Sequence, residues 1–361
     1  MHRRTFLTTS ASLAASGTML LGNPAAALAG DAAPSAGKDA LRFRPDGTFK
    51  ILVISDLHYI PEPDQAGIAL TRKLIDIEKP DLVIATGDNI SGDRCDTPAD
   101  VEAAVRNVGI AMESRKVPWA VVLGNHDQEH VARTGVTREQ VFNYYERYPF
   151  NRNGGWQRGI SGAGNKDLLI WDAQGKAPVN ALWLIDSGES YPDKSIRYDW
   201  IHTDQIAWYW KTSKLLEQRY GHKVPGLMFF HIPLPEFREM VMSRKVIGER
   251  HETESPSGIN SGMFAAVLDR GDVKGIFCGH DHVNNYLGKF HGVTLGQAGV
   301  VGFYGYPHTP PEDVTNDRAR GARVIQLDQA NPDRFKSWMR FRDGTTNWES
   351  WSDAYVETQI K

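Results

Sequence analysis

Three short apolar runs alternate with two amphipathic stretches between residues 49 and 123, and this alternation limits the fold more than any other feature of the chain. Phe49 to Ser55 (FKILVIS) is a short apolar run suited to a strand covered on both faces. Residues 65–79 carry Ile68, Leu70, Leu74, Ile75 and Ile77 at mostly helical spacing, and Pro80 closes the stretch. Asp81 to Ala85 (DLVIA) reads as a second buried strand. Residues 98–115 read as a helix with Thr97 as its N-cap and Pro98 at its first position. Trp119 to Leu123 (WAVVL) is the third strand. The order β-α-β-α-β predicts an α/β protein built on a mainly parallel sheet.

The second half repeats this logic less regularly. Candidate strands fall at 167–171, 179–185, 225–230 and 273–278. Helical patterns fall at 204–219, with Asp204 as a candidate cap, and at 261–270, ended by Gly271. Beyond residue 283, short strands and turns (NYLGKFHGVTLGQ, ARVIQL, RFKSWMRF) predict antiparallel pairing. There is no internal repeat and no heptad pattern, and no linker divides residues 41–361, so a single domain is expected there.

The N-terminus reads as an address. Residues 1–29 place Arg3-Arg4 before an uncharged run of Ala, Ser, Thr, Gly and Leu that ends in Ala27-Leu28-Ala29, an A-x-A-like cleavage site. The arginine pair followed by Phe6-Leu7 resembles a bacterial twin-arginine export signal, although His2 and Thr8 leave the ordinary secretory route open. An uncleaved anchor is the alternative, but Ser, Thr, Gly and Pro24 make the run a poor membrane helix. Residues 30–40 (GDAAPSAGKDA) read as a flexible leader. The expectation is a periplasmic or secreted protein that meets the export machinery and no membrane after cleavage. The whole chain has 41 Lys and Arg against 44 Asp and Glu, a net charge of -3. It has no Lys/Arg-rich run interleaved with aromatics, so no nucleic-acid partner is expected. Two cysteines, Cys95 and Cys278, are too few for a disulfide framework or a Cys-rich zinc site; whether they pair is left open.

Polar clusters sit where the apolar runs end. The first run passes into Ser55-Asp56-Leu57-His58, the second into Gly87-Asp88-Asn89, and the third into Gly124-Asn125-His126-Asp127. Later, GLMFF ends at His231, and GIFC ends in Gly279-His280-Asp281-His282. Singly, each cluster has an ordinary reading as a helix cap, a turn or a surface histidine. Jointly they would converge, because loops at the carboxyl ends of parallel strands meet in space. Imidazole, carboxylate and amide without thiolate suit Zn, Fe or Mn, and seven ligands fit two ions sharing a carboxylate.

The series D-x-H … GD … GNHD … H … GHDH resembles the calcineurin-like metallophosphoesterase superfamily. LIDSG (184–188), FFHIPLPE (229–236) and GHDHVNNY (279–286) are similar to stretches in a subgroup of purple-acid-phosphatase relatives. The resemblance spans residues 48–328 and implies a four-layer α/β/β/α sandwich. It implies that Asp56, His58, Asp88 and His282 hold a first metal, that Asp88 bridges, and that Asn125, His231 and His280 complete a second. His126 would be a non-ligand histidine facing substrate, and Asp127 would orient or polarise it. Purple acid phosphatases carry a colour-giving tyrosine three residues after the GD aspartate. Here that position is Ser91, and His58 supplies the missing ligand, so a colourless site is expected.

What this implies is a binuclear-metal phosphoesterase with two divalent ions (Mn, Zn or Fe) and a small-molecule phosphate ester as substrate. A metal-bridging hydroxide would attack phosphorus in line, with His126 as the leaving-group acid. A phosphomonoesterase is the leading expectation, and a phosphodiesterase or nucleotidase using the same site is the alternative. A non-catalytic phosphate- or metal-binding module is the reading from another class. His130, Tyr59, Asn89, His251 and Asn260 (in the polar segment 248–262), Tyr304, Tyr306 and His308 are further candidates for substrate contact. Trp208 and Trp210 read as packing residues.

Overall fold

The computed structural model describes residues 37, 39–242, 246–307 and 320–354. The export signal, most of the leader and His308 lie outside the described residues. In chain order, β1 (Leu41–Arg42) and β2 (Thr48–Ile54) precede α1 (Gln65–Glu78), β3 (Leu82–Thr86), α2 (Pro98–Arg115) and β4 (Trp119–Val122). Two short helices, α3 (Val131–Thr134) and α4 (Arg138–Tyr145), lead to β5 (Lys166–Trp171) and β6 (Pro178–Leu184). Then come α5 (Thr203–Tyr220), β7 (Gly226–Phe229), α6 (Pro235–Met242), β8 (Val246–Ile247), α7 (Met263–Arg270) and β9 (Val273–Cys278). The remaining strands are β10 (Leu287–Phe290), β11 (Val293–Gln297), β12 (Gly321–Asp328), β13 (Phe335–Phe341) and β14 (Thr346–Trp351).

Two mixed sheets result. The six-stranded one has the order β14-β13-β12-β2-β3-β4, with β2, β3 and β4 parallel and β12–β14 added antiparallel. The eight-stranded one has the order β1-β5-β6-β7-β9-β11-β10-β8, and β6, β7, β9 and β11 run parallel in its centre. Strand side chains alternate between faces. In β2, Ile51 and Val53 join Leu227, Phe229 and Phe277 of the other sheet in one buried layer, while Leu52 and Ile54 pack under α1 and α2 in another. In the other sheet, Trp183, Met228 and Ile276 pack outward beneath α5, α6 and α7. The architecture is therefore the expected α/β/β/α sandwich. Its central strands are apolar on both faces because both faces are covered, each fully buried aliphatic side chain being worth about 1.5–3 kcal/mol.

The caps explain most of the boundaries. Thr97 accepts from the backbone N–H of Asp100, whose carboxylate accepts back from the N–H of Thr97, and Pro98 opens α2. Asp204 does not cap α5. The helix begins one residue earlier, His202 is the N-cap, and the Asp204 carboxylate instead accepts from the N–H and hydroxyl of Ser161. Gly271, at φ 66°, ends α7 as expected. The two cysteines are free and buried on opposite outer layers, Cys95 beside α2 and Cys278 beneath α7, so they do not pair. Trp208 packs edge-on against Trp183, and Trp210 is exposed with Lys214 over its ring.

Glu78 ties the last turn of α1 to the six-stranded sheet. Its side chain is 2% exposed and takes Lys50 Nζ at 3.2 Å, Arg340 Nε at 2.6 Å and Trp338 Nε1 at 3.1 Å. Burial favours the neutral acid, yet the bonds from Trp338 and Arg340 and the charge of Lys50 outweigh it and lower the pKa. A carboxyl depressed on folding stabilises above its unfolded value and loses that contribution as pH falls through the folded value. Glu78→Gln is therefore expected to cost about 3 kcal/mol at pH 7, with the gap to wild type closing as pH falls through the lowered folded value. Urea unfolding of both proteins at several pH values measures it.

Candidate metal centre

Every cluster of the sequence lies where a parallel strand gives out. Asp56 and His58 follow β2, Asp88 follows β3, Asn125 to Asp127 follow β4, His231 follows β7, and His280 and His282 follow β9. The loops after β2 and β3 stay paired beyond their strands through Asp56 N to Gly87 O (3.1 Å) and His58 N to Asp88 O (2.9 Å). Asp56, His58, Asp88 and His280 all take positive φ, between 47° and 77°. Non-glycine residues adopt such backbone only when their surroundings enforce it, which is a feature of functional loops. Gly87 (φ 93°) is required for the same reason and for space: a Cβ there would stand 2.5 Å from the His231 ring. At Gly124 a Cβ would collide with Asp88 Oδ1.

The donor atoms form two overlapping groups. One atom each from Asp56, His58, Asp88 and His282 lies within 4.8 Å of the others, and so do atoms from Asp88, His231 and His280. Asp88 belongs to both. His231 Nε2 is 3.0 Å from Asp88 Oδ2, His282 Nε2 is 3.2 Å from Asp56 Oδ1, and His58 Nε2 is 3.2 Å from His282 Nε2. His231 Nδ1 donates to Thr86 O at 2.8 Å and His282 Nδ1 to Tyr306 O at 2.6 Å. Those carbonyls hold a proton on Nδ1, so Nε2 is the nitrogen that each ring turns toward Asp56 and Asp88. Asn125 Oδ1 is buried without a hydrogen-bond partner, a costly state for a polar atom unless a ligand completes it, and His280 Nδ1 stands 3.2 Å from His231 Nε2. Ser91 stands 3.3 Å from His58 Nδ1 through its hydroxyl, where it steadies the ring. The donor set is nitrogen and oxygen throughout, and it fits a pair of divalent ions.

Charges among the protein groups follow from burial against Asp88. Burial would raise the Asp56 carboxyl, but His282 beside it pulls the pKa down to about 2. Asp88 is likewise held well below the carboxylate range by His231, His126 and His58 against the cost of its burial. Burial drives His58 down to about 4 and His280 to about 3, so both rings are neutral. Burial also opposes charge on His231 and His126, but Asp88 lifts His231 to about 9, and Asp88 together with Glu129 lifts His126 to about 10.

His58, Asp88, Asn125, His126, His280 and His282 line a cavity of about 560 Å³ that also exposes Arg94, Glu129, Tyr198, Ser255, Tyr304 and Tyr306, while Asp56 and His231 are fully buried. Tyr306 lies flat on His282, with ring centroids 4.0 Å apart and planes 5° apart. His126 is 39% exposed there, its Nε2 4.0 Å from Asp88 Oδ2. Asp127 does not orient it. The Asp127 carboxylate turns inward and accepts backbone N–H groups from Gly124, Asn89 and Ile90, binding the β4 loop to the β3 loop. The carboxylate on His126 is that of Glu129, whose Oε2 is 2.8 Å from Nδ1. Of the other sequence candidates, Tyr304 and Tyr306 line the cavity. His130, Tyr59 and Asn89 are buried within the loops; the exposed His251 ring stands beside Glu249, and Asn260 donates to Glu236. Arg94, Glu129, Tyr198 and Ser255 were missed. Of these, Glu129 alone carried a local signal, three residues after His126.

The description calcineurin-like phosphoesterase matches residues 49–284. The chain belongs to that family. By class it is a phosphoric ester hydrolase of the calcineurin-like type. It is 34% identical over 351 residues to probable inactive purple acid phosphatase 14 of Arabidopsis thaliana, covering 85% of this chain and 84% of the relative. It is 30% identical over 288 residues to the phosphatase DCR2 of Saccharomyces cerevisiae, covering 69% of this chain and 46% of the relative. The fold matches the crystal structure of a dimetal phosphatase from Danio rerio with a TM-score of 0.53 at 15% identity, over 84% of this chain and 98% of that one.

Proposed function

We propose that this calcineurin-like phosphoesterase is an active dimetal phosphomonoesterase of small phosphate esters. The observation that carries the reading is Asp88, shared by two donor groups, with His126 open to the cavity beside it. Asp56, His58, Asp88 and His282 would hold one divalent cation, and Asp88, Asn125, His231 and His280 the other, whether Mn, Zn or Fe. Such ions supply positive charge to phosphoryl oxygens and lower the pKa of bound water. The protein's own part is to keep Asp56 and Asp88 ionised and the donor atoms facing one another, and to deliver the Nε2 proton of His126 to the leaving oxygen as the P–O bond breaks.

The Arabidopsis relative is named probable inactive and the yeast relative a phosphatase. In this chain all seven donor positions and His126 are filled and converge, which supports the active reading. The twin-arginine-like Arg3-Arg4, the apolar run and the Ala27-Leu28-Ala29 site support export to the periplasm or beyond. Among the described residues no helix is long and apolar enough to cross a membrane.

The test is turnover of nitrophenyl phosphate beside bis-nitrophenyl phosphate, with protein loaded in parallel with Mn²⁺, Zn²⁺ and Fe²⁺. Hydrolysis mainly of the monoester, lost in Asp88→Asn, is expected. Preference for the diester would replace the monoesterase reading by a phosphodiesterase. Tight metal binding with no turnover of either ester would overturn the catalytic reading in favour of a binding module.

A further inference from the structure

The motif places an aspartate directly after His126, but the contact to the imidazole is made two residues further on. Asp127 to His130 form a turn, and the turn brings the Glu129 side chain back under the ring, Oε2 2.8 Å from Nδ1. The turn is fixed from several sides. Asp127 pins its start by accepting from Gly124, Asn89 and Ile90, Gln128 Nε2 donates to Asn125 O at 2.9 Å, and Arg138 donates to Gln128 Oε1. The N–H of Gly92 reaches His126 O at 3.0 Å, and a Cβ on Gly92 would come within 2.6 Å of that oxygen. The backbone under His126 therefore has one shape, and within it Glu129 is the carboxylate that reaches the ring.

We propose that Glu129 is the positioning residue of the leaving-group acid. The inference rests on the phosphomonoesterase reading above and deepens it. By accepting from Nδ1–H, Glu129 keeps a proton on the outer nitrogen and aims Nε2 toward Asp88 and the cavity. During ester cleavage the P–O bond breaks and the leaving oxygen takes the Nε2 proton. The ring ends neutral, still protonated at Nδ1 and still bonded to Glu129. Glu129 itself gives up no proton and belongs to neither donor group, so its removal should spare the metals. It also forms part of the wall of a second cleft of about 620 Å³, leaving its outer side open.

The experiment compares wild type, Glu129→Gln, Glu129→Ala, His126→Ala and the His126→Ala/Glu129→Ala double variant, each loaded with Zn²⁺. With an alkyl phosphate, whose leaving group needs its proton, both Glu129 variants are expected to lose about 10–100-fold in kcat, with KM little changed. With dinitrophenyl phosphate, which leaves unaided, the loss should fall below about threefold. In the double variant, removing Glu129 should add nothing to the loss already caused by His126→Ala. Metal content should stay at the wild-type value, and ¹H–¹⁵N NMR should show the His126 Nδ1–H signal losing its downfield, carboxylate-bonded shift in the Glu129 variants. Equal losses on both esters, additive losses in the double variant, or an unchanged His126 Nδ1–H signal would each overturn the proposal. If wild type cleaves neither ester while the NMR change is still seen, the contact stands and it is the phosphomonoesterase reading that fails.

Discussion

Asp88→Asn is expected to release both metal ions together and to lower turnover by at least about 10³-fold. The substitution changes little else. The Asn side chain keeps the size of Asp88, and its oxygen can still accept the backbone N–H of His126, which reaches Asp88 Oδ1 at 2.8 Å. What disappears is the negative charge that both donor groups share. His231 stands 3.0 Å from that carboxylate and His58 3.9 Å, so its charge acts on both sides of the centre. A ligand serving one ion would behave differently: Asn125→Ala should weaken one site and leave the other near full occupancy. Metal analysis after dialysis, read beside steady-state turnover, separates the two patterns. A folded Asp88→Asn protein that retained two ions and most of its activity would remove Asp88 from the bridge.

Much of this site was legible in the sequence because its chemistry sits at strand ends, and strand ends are local signals. An apolar run that stops at Asp88 or His231 announces both the element and the loop that follows. The parallel order then brings those loops to one edge. Pairing beyond the strands (Asp56 to Gly87, His58 to Asp88) draws them closer than the periodic pattern alone could say. The misreadings have the opposite character. Asp127 and Asp204 are polar residues at positions where a short-range rule gives a role, and in both the carboxylate is taken by another segment. Asp127 satisfies three backbone N–H groups on two loops, and Asp204 holds Ser161. Glu129 illustrates the same point from the other side. Its use depends on a turn from Asp127 to His130 that no apolar period announces. Tyr198 and Ser255 reach the cavity from segments without regular structure, so nothing in their spacing pointed there. The short helices α4 and α6 and the edge strand β14 were also not anticipated, being brief amphipathic segments fixed by what they pack against.

His126→Ala is the second large effect, and its value lies in what it leaves unchanged. Turnover of an alkyl phosphate should fall by about 10²–10⁴-fold, the usual range for a positioned general acid. Metal content should remain that of wild type. His126 Nε2 is 4.0 Å from Asp88 Oδ2, its Nδ1 is occupied by Glu129, and the ring lies outside both donor groups. Stability should change little, because the side chain is 39% exposed and alanine retains the backbone N–H that Asp88 accepts. Since the proton is delivered only as the P–O bond breaks, kcat and kcat/KM should fall together. The deficit should shrink as the leaving group becomes more acidic, and with dinitrophenyl phosphate it should nearly vanish. A deficit independent of the leaving group would mean that His126 acts on the phosphoryl oxygens in both ground and transition state. Loss of one metal with the ring would make His126 a ligand, and the cation count would then have to be redrawn around Asn125 and His231. The leaving-group dependence and the metal content together separate these three roles, which activity alone does not.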